Sequence, residues 1–235
     1  MYISHMFKMM FSLQWKEFNR GKAVGGKLVA KILKWFGIIY FAFMAFLMAI
    51  IASFPIEEDV IAPFLYVNKQ LIYVFAYLIV MRYFIQSLPI LNIKALLLTP
   101  LLKTKIVRFS LLKTVLTYFN ILPLFFLIPF SVLLAQTGKF DIIGLIFWNI
   151  NIIGLIYVTN FFNFLLNNKD KLLYGIGGIL ALIKALEYYS IVDLTEYSEQ
   201  FFYLFYSQPY AVSFTWLLVF WLYNYVHKYL IQGLY

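Results

Sequence analysis

Lys184 and Glu187 stand three residues apart in an apolar run. Ionisable groups in hydrocarbon are costly, face a bundle interior or a cavity, and pair. A spacing of three puts both on one helical face, where they neutralise each other. The pair reads either as a structural contact snorkelling toward an acidic stretch about two turns away, or as a polar element of a path through the bundle. The remaining polar chemistry is sparse. His5 and His227 lie far apart and read as interfacial polar residues, with no metal-like spacing. Asn149, Asn151, Asn160 and Asn163 make one apolar run unusually polar and suit interhelical hydrogen bonding ahead of the other reading, substrate contact. Gly175, Gly177 and Gly178 read as points of close helix approach. A Gly-rich phosphate loop and paired carboxylates on a plausible catalytic face are both missing. With no cysteine, thiolate catalysis, disulfides and Cys-based metal sites are excluded. The residues give no catalytic, cofactor or metal site.

Composition decides what must position these groups. Hydrophobic residues make up 64% of the 235 residues and charged residues 12%, with a mean hydropathy of +0.85. A soluble domain carries about twice that charge, so the chain reads as all-α and polytopic in a membrane. Residues 1–34 form a basic amphipathic N-terminal segment whose helix, from about residue 7, lies in the headgroups. Residues 35–235 then hold six apolar runs, near 35–54, 70–88, 109–135, 142–166, 172–192 and 210–230. Pro123 and Pro129 predict a kink in the third. Residues 193–209 read as a short amphipathic element on the outer surface.

Charge fixes the orientation. Of the 19 Lys and Arg, all but Lys69, Lys139 and Lys184 fall on one side of this layout, counting Arg82 as the inner end of the second span. Glu57, Glu58, Asp59, Asp141, Asp193, Glu196 and Glu199 fall on the other. The positive-inside rule then places both termini in the cytoplasm. The net charge of +9 is therefore a membrane signal, and nucleic acid is not an expected partner.

The stretch from Asn92 to Lys113 carries five cations and no acid. It splits at Thr99-Pro100 into two short amphipathic pieces, because proline disfavours helix in the residue before it and suits the first turn of a new one. One reading is an anchor for anionic lipid; the other is a docking helix for a cytoplasmic partner. The run Leu96, Leu97, Leu98, Thr99, Pro100, Leu101, Leu102, Lys103, Thr104, Lys105, Ile106, Val107 resembles the cytoplasmic coupling helix of ABC-type exporter permeases of the type V class. Gln14 to Phe18 through Gly26-Lys27 also resembles a group of uncharacterised bacterial permease-like membrane proteins related to them.

The resemblance implies an N-terminal elbow helix, six spans, a coupling helix between spans two and three, and residence in the bacterial inner membrane. It further implies that a separate cytoplasmic ABC ATPase docks on residues 96–107 and holds ATP and Mg, so this chain carries no cofactor and is no enzyme. Members of the bacterial group are generally longer, with a second membrane half, which implies a second permease half or a homodimer mate here. The expected function is the permease subunit of an exporter for a lipidic, peptide or other amphipathic substrate, with the Lys184–Glu187 pair a candidate element of its path. The alternative is a non-transporting scaffold anchoring a cytoplasmic complex. An intramembrane enzyme acting on lipid would need a His and Asp cluster the sequence lacks.

Overall fold

The computed structural model describes residues 24–55, 59–86, 102–166, 170–189 and 193–232. They form helices: α1 Val24–Ala52, α2 Ala62–Ile85, α3 Lys103–Val115, α4 Tyr118–Ile121, α5 Leu124–Gln136, α6 Ile142–Leu166, α7 Asp170–Tyr188, α8 Leu194–Ser207 and α9 Ala211–Gln232. Among the described residues, four stretches are long and apolar enough to cross a membrane: Trp35–Ala52, Ala62–Ile85, Tyr118–Gln136 and Ile142–Leu166.

The chain divides into two compact units at Met44, within α1. In the first unit α1 exposes Ile32, Leu33, Trp35, Phe36, Ile39 and Phe41, a surface suited to hydrocarbon. Residues 24–34, expected in a separate elbow helix, continue without a break into the apolar stretch; residues 7–23 of that expected elbow lie outside the described residues.

The second unit is built around α6, which packs against α2, α3, α4, α5, α7, α8 and α9. One apolar cluster joins α2, α5, α6 and α8 through residues such as Leu71, Phe130, Trp148 and Phe202. At its centre Phe64 is fully buried against the rings of Phe140, Trp148, Tyr203 and Tyr206, at centroid distances of 5.2, 5.4, 6.3 and 5.3 Å. A second cluster joins α3, α6 and α9 through Val107, Leu111, Phe161, Phe164, Val219, Leu222 and Val226.

Two boundaries differ from expectation. α2 begins at Ala62, eight residues before the expected 70, because Pro63 fits a first helical turn, where the missing N–H has no partner to lose. The expected single span 109–135 is broken: α3 ends at Val115, and the apolar crossing runs from Tyr118 through α4 and α5. Pro123 stands at the α4–α5 junction as the residue before α5, and Pro129 lies inside α5.

The acidic segment 193–209 forms α8, capped by Asp193. Its carboxylate accepts from the Thr195 hydroxyl at 2.6 Å and from the backbone N–H groups of Thr195 and Glu196 at 3.0 and 3.1 Å. The Thr195 hydroxyl first, then these N–H groups, hold the carboxyl below its ordinary pKa. The cap therefore contributes fully above the ordinary carboxylate pKa and is lost as pH falls through the lowered value. At neutral pH, Asp193→Ala is expected to speed amide exchange at Thr195 and Glu196, while Asp193→Asn, an equally good cap, leaves it near wild type. Equal exchange in all three proteins would remove the cap from the account.

Candidate functional site

Arg82 is fully buried near the end of α2. A guanidinium cannot shed its charge, so it must find oxygens wherever it is held. Nη1 donates to Gln86 Oε1 at 2.9 Å and Asn160 Oδ1 at 3.2 Å. Nη2 donates to Asn120 Oδ1 at 2.6 Å, to the Phe119 carbonyl at 3.2 Å and, at longer range, to the Ile156 carbonyl at 3.5 Å. All five acceptors are neutral, and Nε has no partner among the described residues. The Phe119 ring lies 5.7 Å from the guanidinium carbon, close enough for its π face to share the charge.

The shell around Arg82 is itself tied down. Gln86 Nε2 donates to Asn160 Oδ1 at 3.0 Å, and Asn160 Nδ2 to Thr114 Oγ1 at 2.9 Å. Asn120 Nδ2 donates to the Thr114 and Val115 carbonyls at 2.9 and 3.0 Å, satisfying the end of α3 where its backbone ladder stops. The negative end of the α3 dipole thus points into a cluster holding a fixed cation, which offsets part of the burial cost. The result is one polar node joining α2, α3, α4 and α6, set between the two apolar clusters along α6.

The asparagines of α6 are distributed among its neighbours. Asn149 donates to Ser131 of α5 at 2.7 Å, Asn151 accepts from Thr215 of α9 at 2.7 Å, Asn160 serves α2 and α3, and Asn163 donates to the Arg82 carbonyl at 3.4 Å. They are interhelical fasteners, as their residue type suggested. Near the other end of α2, Asn68 accepts from Trp148 Nε1 at 2.9 Å, and its carbonyl accepts from Ser198 of α8 at 2.7 Å.

Lys184 and Glu187 do pair, at 2.7 Å. Tyr73 of α2 completes the group: its hydroxyl donates to Glu187, Lys184 Nζ lies 3.3 Å from that hydroxyl, and the ammonium stands 4.5 Å from the ring centroid. Lys184 is exposed and Glu187 largely covered. The group fastens α7 to α2, a partner the sequence reading did not supply.

The expected docking run divides. Leu96 to Leu101 lie outside the described residues. Leu102, Thr104 and Lys105 are exposed, whereas Ile106 and Val107, 0% and 1% exposed, are core residues unavailable to a partner. His227 Nε2 lies 3.4 Å from the Thr104 carbonyl, joining α9 to the start of α3; His5 is outside the described residues.

Gly175, Gly177 and Gly178 do not mark close packing among the described residues, where a Cβ at any of them would meet nothing within 4 Å. Close approach occurs instead at Gly144 and Gly154 of α6, where a Cβ would stand 2.7 Å from the Tyr206 ring and from Thr215 Cγ2 respectively. Among the described residues no three or more His, Cys, Asp or Glu side chains gather as a metal site would require. What the Arg82 node offers is a fixed internal charge coupling four helices.

No curated protein and no solved structure matches the chain. One family does match, over residues 14–235, and the chain therefore belongs to the family described as a family of unknown function (DUF5687).

Proposed function

We propose that this protein is the transmembrane permease subunit of an ATP-driven ABC-type exporter in the bacterial inner membrane. In this reading it has six transmembrane helices and cytoplasmic termini, with α7 and α9, of 19 and 22 residues, completing the four more apolar crossings. A separate ABC ATPase binds ATP and Mg and docks on the segment Leu96–Val107 through its exposed residues, with Ile106 and Val107 held in the core.

The observation that carries the reading is that α2 and α3, on either side of residues 87–101, meet in one polar node: Arg82 belongs to α2, and Thr114 of α3 accepts from Asn160, which also receives the guanidinium. α2 leads into residues 87–101 and α3 leads out of them, and the Arg82 node ties both to α6. A partner that shifts the start of α3 therefore works directly on the central helix of the bundle, as a coupling element must. Leu102, Thr104 and Lys105 are the exposed described residues of the segment and the natural contacts.

Deleting the whole segment would remove core residues, so the test uses substitutions on its exposed face. Tagged protein purified in mild detergent is expected to bring down an ABC ATPase, with ATP hydrolysis in the eluate. Leu102→Asp with Lys105→Glu is expected to lose that partner while the bundle keeps its unfolding midpoint. Protein free of any ATPase would replace the exporter by a membrane scaffold.

The exporter reading also gives the Tyr73–Lys184–Glu187 group a place in the path. Lys184→Met with Glu187→Leu is then expected to stop ATP-driven movement of a fluorescent lipid or amphipathic peptide in reconstituted vesicles. Unchanged movement would leave the group a structural fastener.

A further inference from the structure

The exposed face of α3 carries more than docking uses. α3 buries Ile106, Val107, Ser110, Leu111 and Thr114 against the bundle. Its opposite side exposes Lys105 and Arg108, then Leu112, and Leu116 just past its end, spaced by three, four and four residues. The order along the axis is cations first and leucines one to two turns later, with Leu112 45% and Leu116 77% exposed. α9 reaches the same end: His227 contacts the Thr104 carbonyl, one turn before Arg108, and Lys228 beside it is exposed. From Asn92 to Lys113 there is no acid, and α9 has none along its length.

We infer that this face binds an anionic phospholipid, with its phosphate held between Arg108 of α3 and Lys228 of α9 and its acyl chains along Leu112 and Leu116. Both halves of the surface are needed for the assignment. An acidic soluble partner would answer the cations and leave two leucines uncovered, and a neutral lipid would cover the leucines and leave the cations without a counter-charge. A phosphate carrying two acyl chains satisfies both, and its polar-to-apolar order matches the order along α3. Arg108 supplies a planar fork for phosphate oxygens and Lys228 a point charge.

The test uses the full chain in mild detergent, with phosphatidylglycerol and phosphatidylcholine offered in competition and bound lipid counted by native mass spectrometry. Wild type is expected to retain phosphatidylglycerol in preference. Each surface cation contributes about fivefold, so Arg108→Gln with Lys228→Gln should reduce that preference about 25-fold. Arg108→Lys with Lys228→Arg, and Lys139→Gln on a distant turn, should keep it. An undiminished preference in the Gln pair, equal retention of phosphatidylcholine by wild type, or loss in the charge-keeping pair overturns the inference. Arg108 and Lys228 lie outside residues 96–107, so failure here leaves the ATPase docking proposal standing, and failure of docking leaves this site standing.

Discussion

Arg82→Met is expected to lower the unfolding free energy by about 2–6 kcal/mol, the cost of leaving two buried acceptors unpaired. Methionine fills much of the arginine volume, so the loss is not mainly a cavity. It comes from the oxygens left behind. Gln86 and Asn160 keep their mutual hydrogen bond, but Asn120 Oδ1 and the Phe119 carbonyl lose the guanidinium. Each unpaired buried acceptor costs about 1–3 kcal/mol. Arg82→Lys should recover less than half of the loss, because one ammonium cannot span acceptors on α2, α4 and α6 together. Denaturant unfolding in bicelles, followed by tryptophan fluorescence, reads the effect. A wild-type midpoint for Arg82→Met would mean that the node contributes nothing to the bundle.

The second large effect is steric. Gly154→Ala puts a Cβ 2.7 Å from Thr215 Cγ2, well inside contact distance. Thr215 cannot step aside freely, because its hydroxyl donates to Asn151 at 2.7 Å and approaches the Ala211 carbonyl at 3.0 Å. Overpacking of this kind costs about 1–3 kcal/mol, and the same unfolding measurement should find it. Thr215→Ser removes Cγ2 and keeps the hydroxyl, so the double variant Gly154→Ala with Thr215→Ser should regain most of the loss. A double-mutant cycle gives the coupling directly. Additive effects would place the α6–α9 contact elsewhere than at these two residues.

The helical class and the apolar crossings were legible because composition and run length carry them without tertiary information. The asparagines of α6 were legible in role, since amides in an apolar helix have few other uses, but not in partner. Arg82 was read as an inner-end cation because a lone arginine near the end of an apolar run ordinarily snorkels. Its acceptors come from residues 86, 119, 120, 156 and 160, and no local pattern links them. A signal was present in retrospect: an arginine without a nearby acid, in a chain with an amide-rich apolar helix, points to neutral oxygens as its ligands. The glycines failed for a related reason. Clustering in sequence suggested Gly175, Gly177 and Gly178, whereas close approach depends on which face meets a neighbour, and that selected Gly144 and Gly154. The break after Val115 was hidden because Asn120 caps α3 from outside, a contact that needs the fold to form.

The Arg82 node also dictates an order of biogenesis. The guanidinium emerges from the ribosome with α2, but Ile156 and Asn160 follow 74 and 78 residues later. Until α6 arrives, α2 holds a charge with only Gln86 and then Phe119 and Asn120 to receive it. In the proposed topology this keeps nascent α2 shallow, its arginine drawn to the cytoplasmic lipid headgroups. Release of α6 supplies the remaining acceptors, Ile156 and Asn160, so the last ligand to be synthesised sets when the acceptor shell of an early helix is complete.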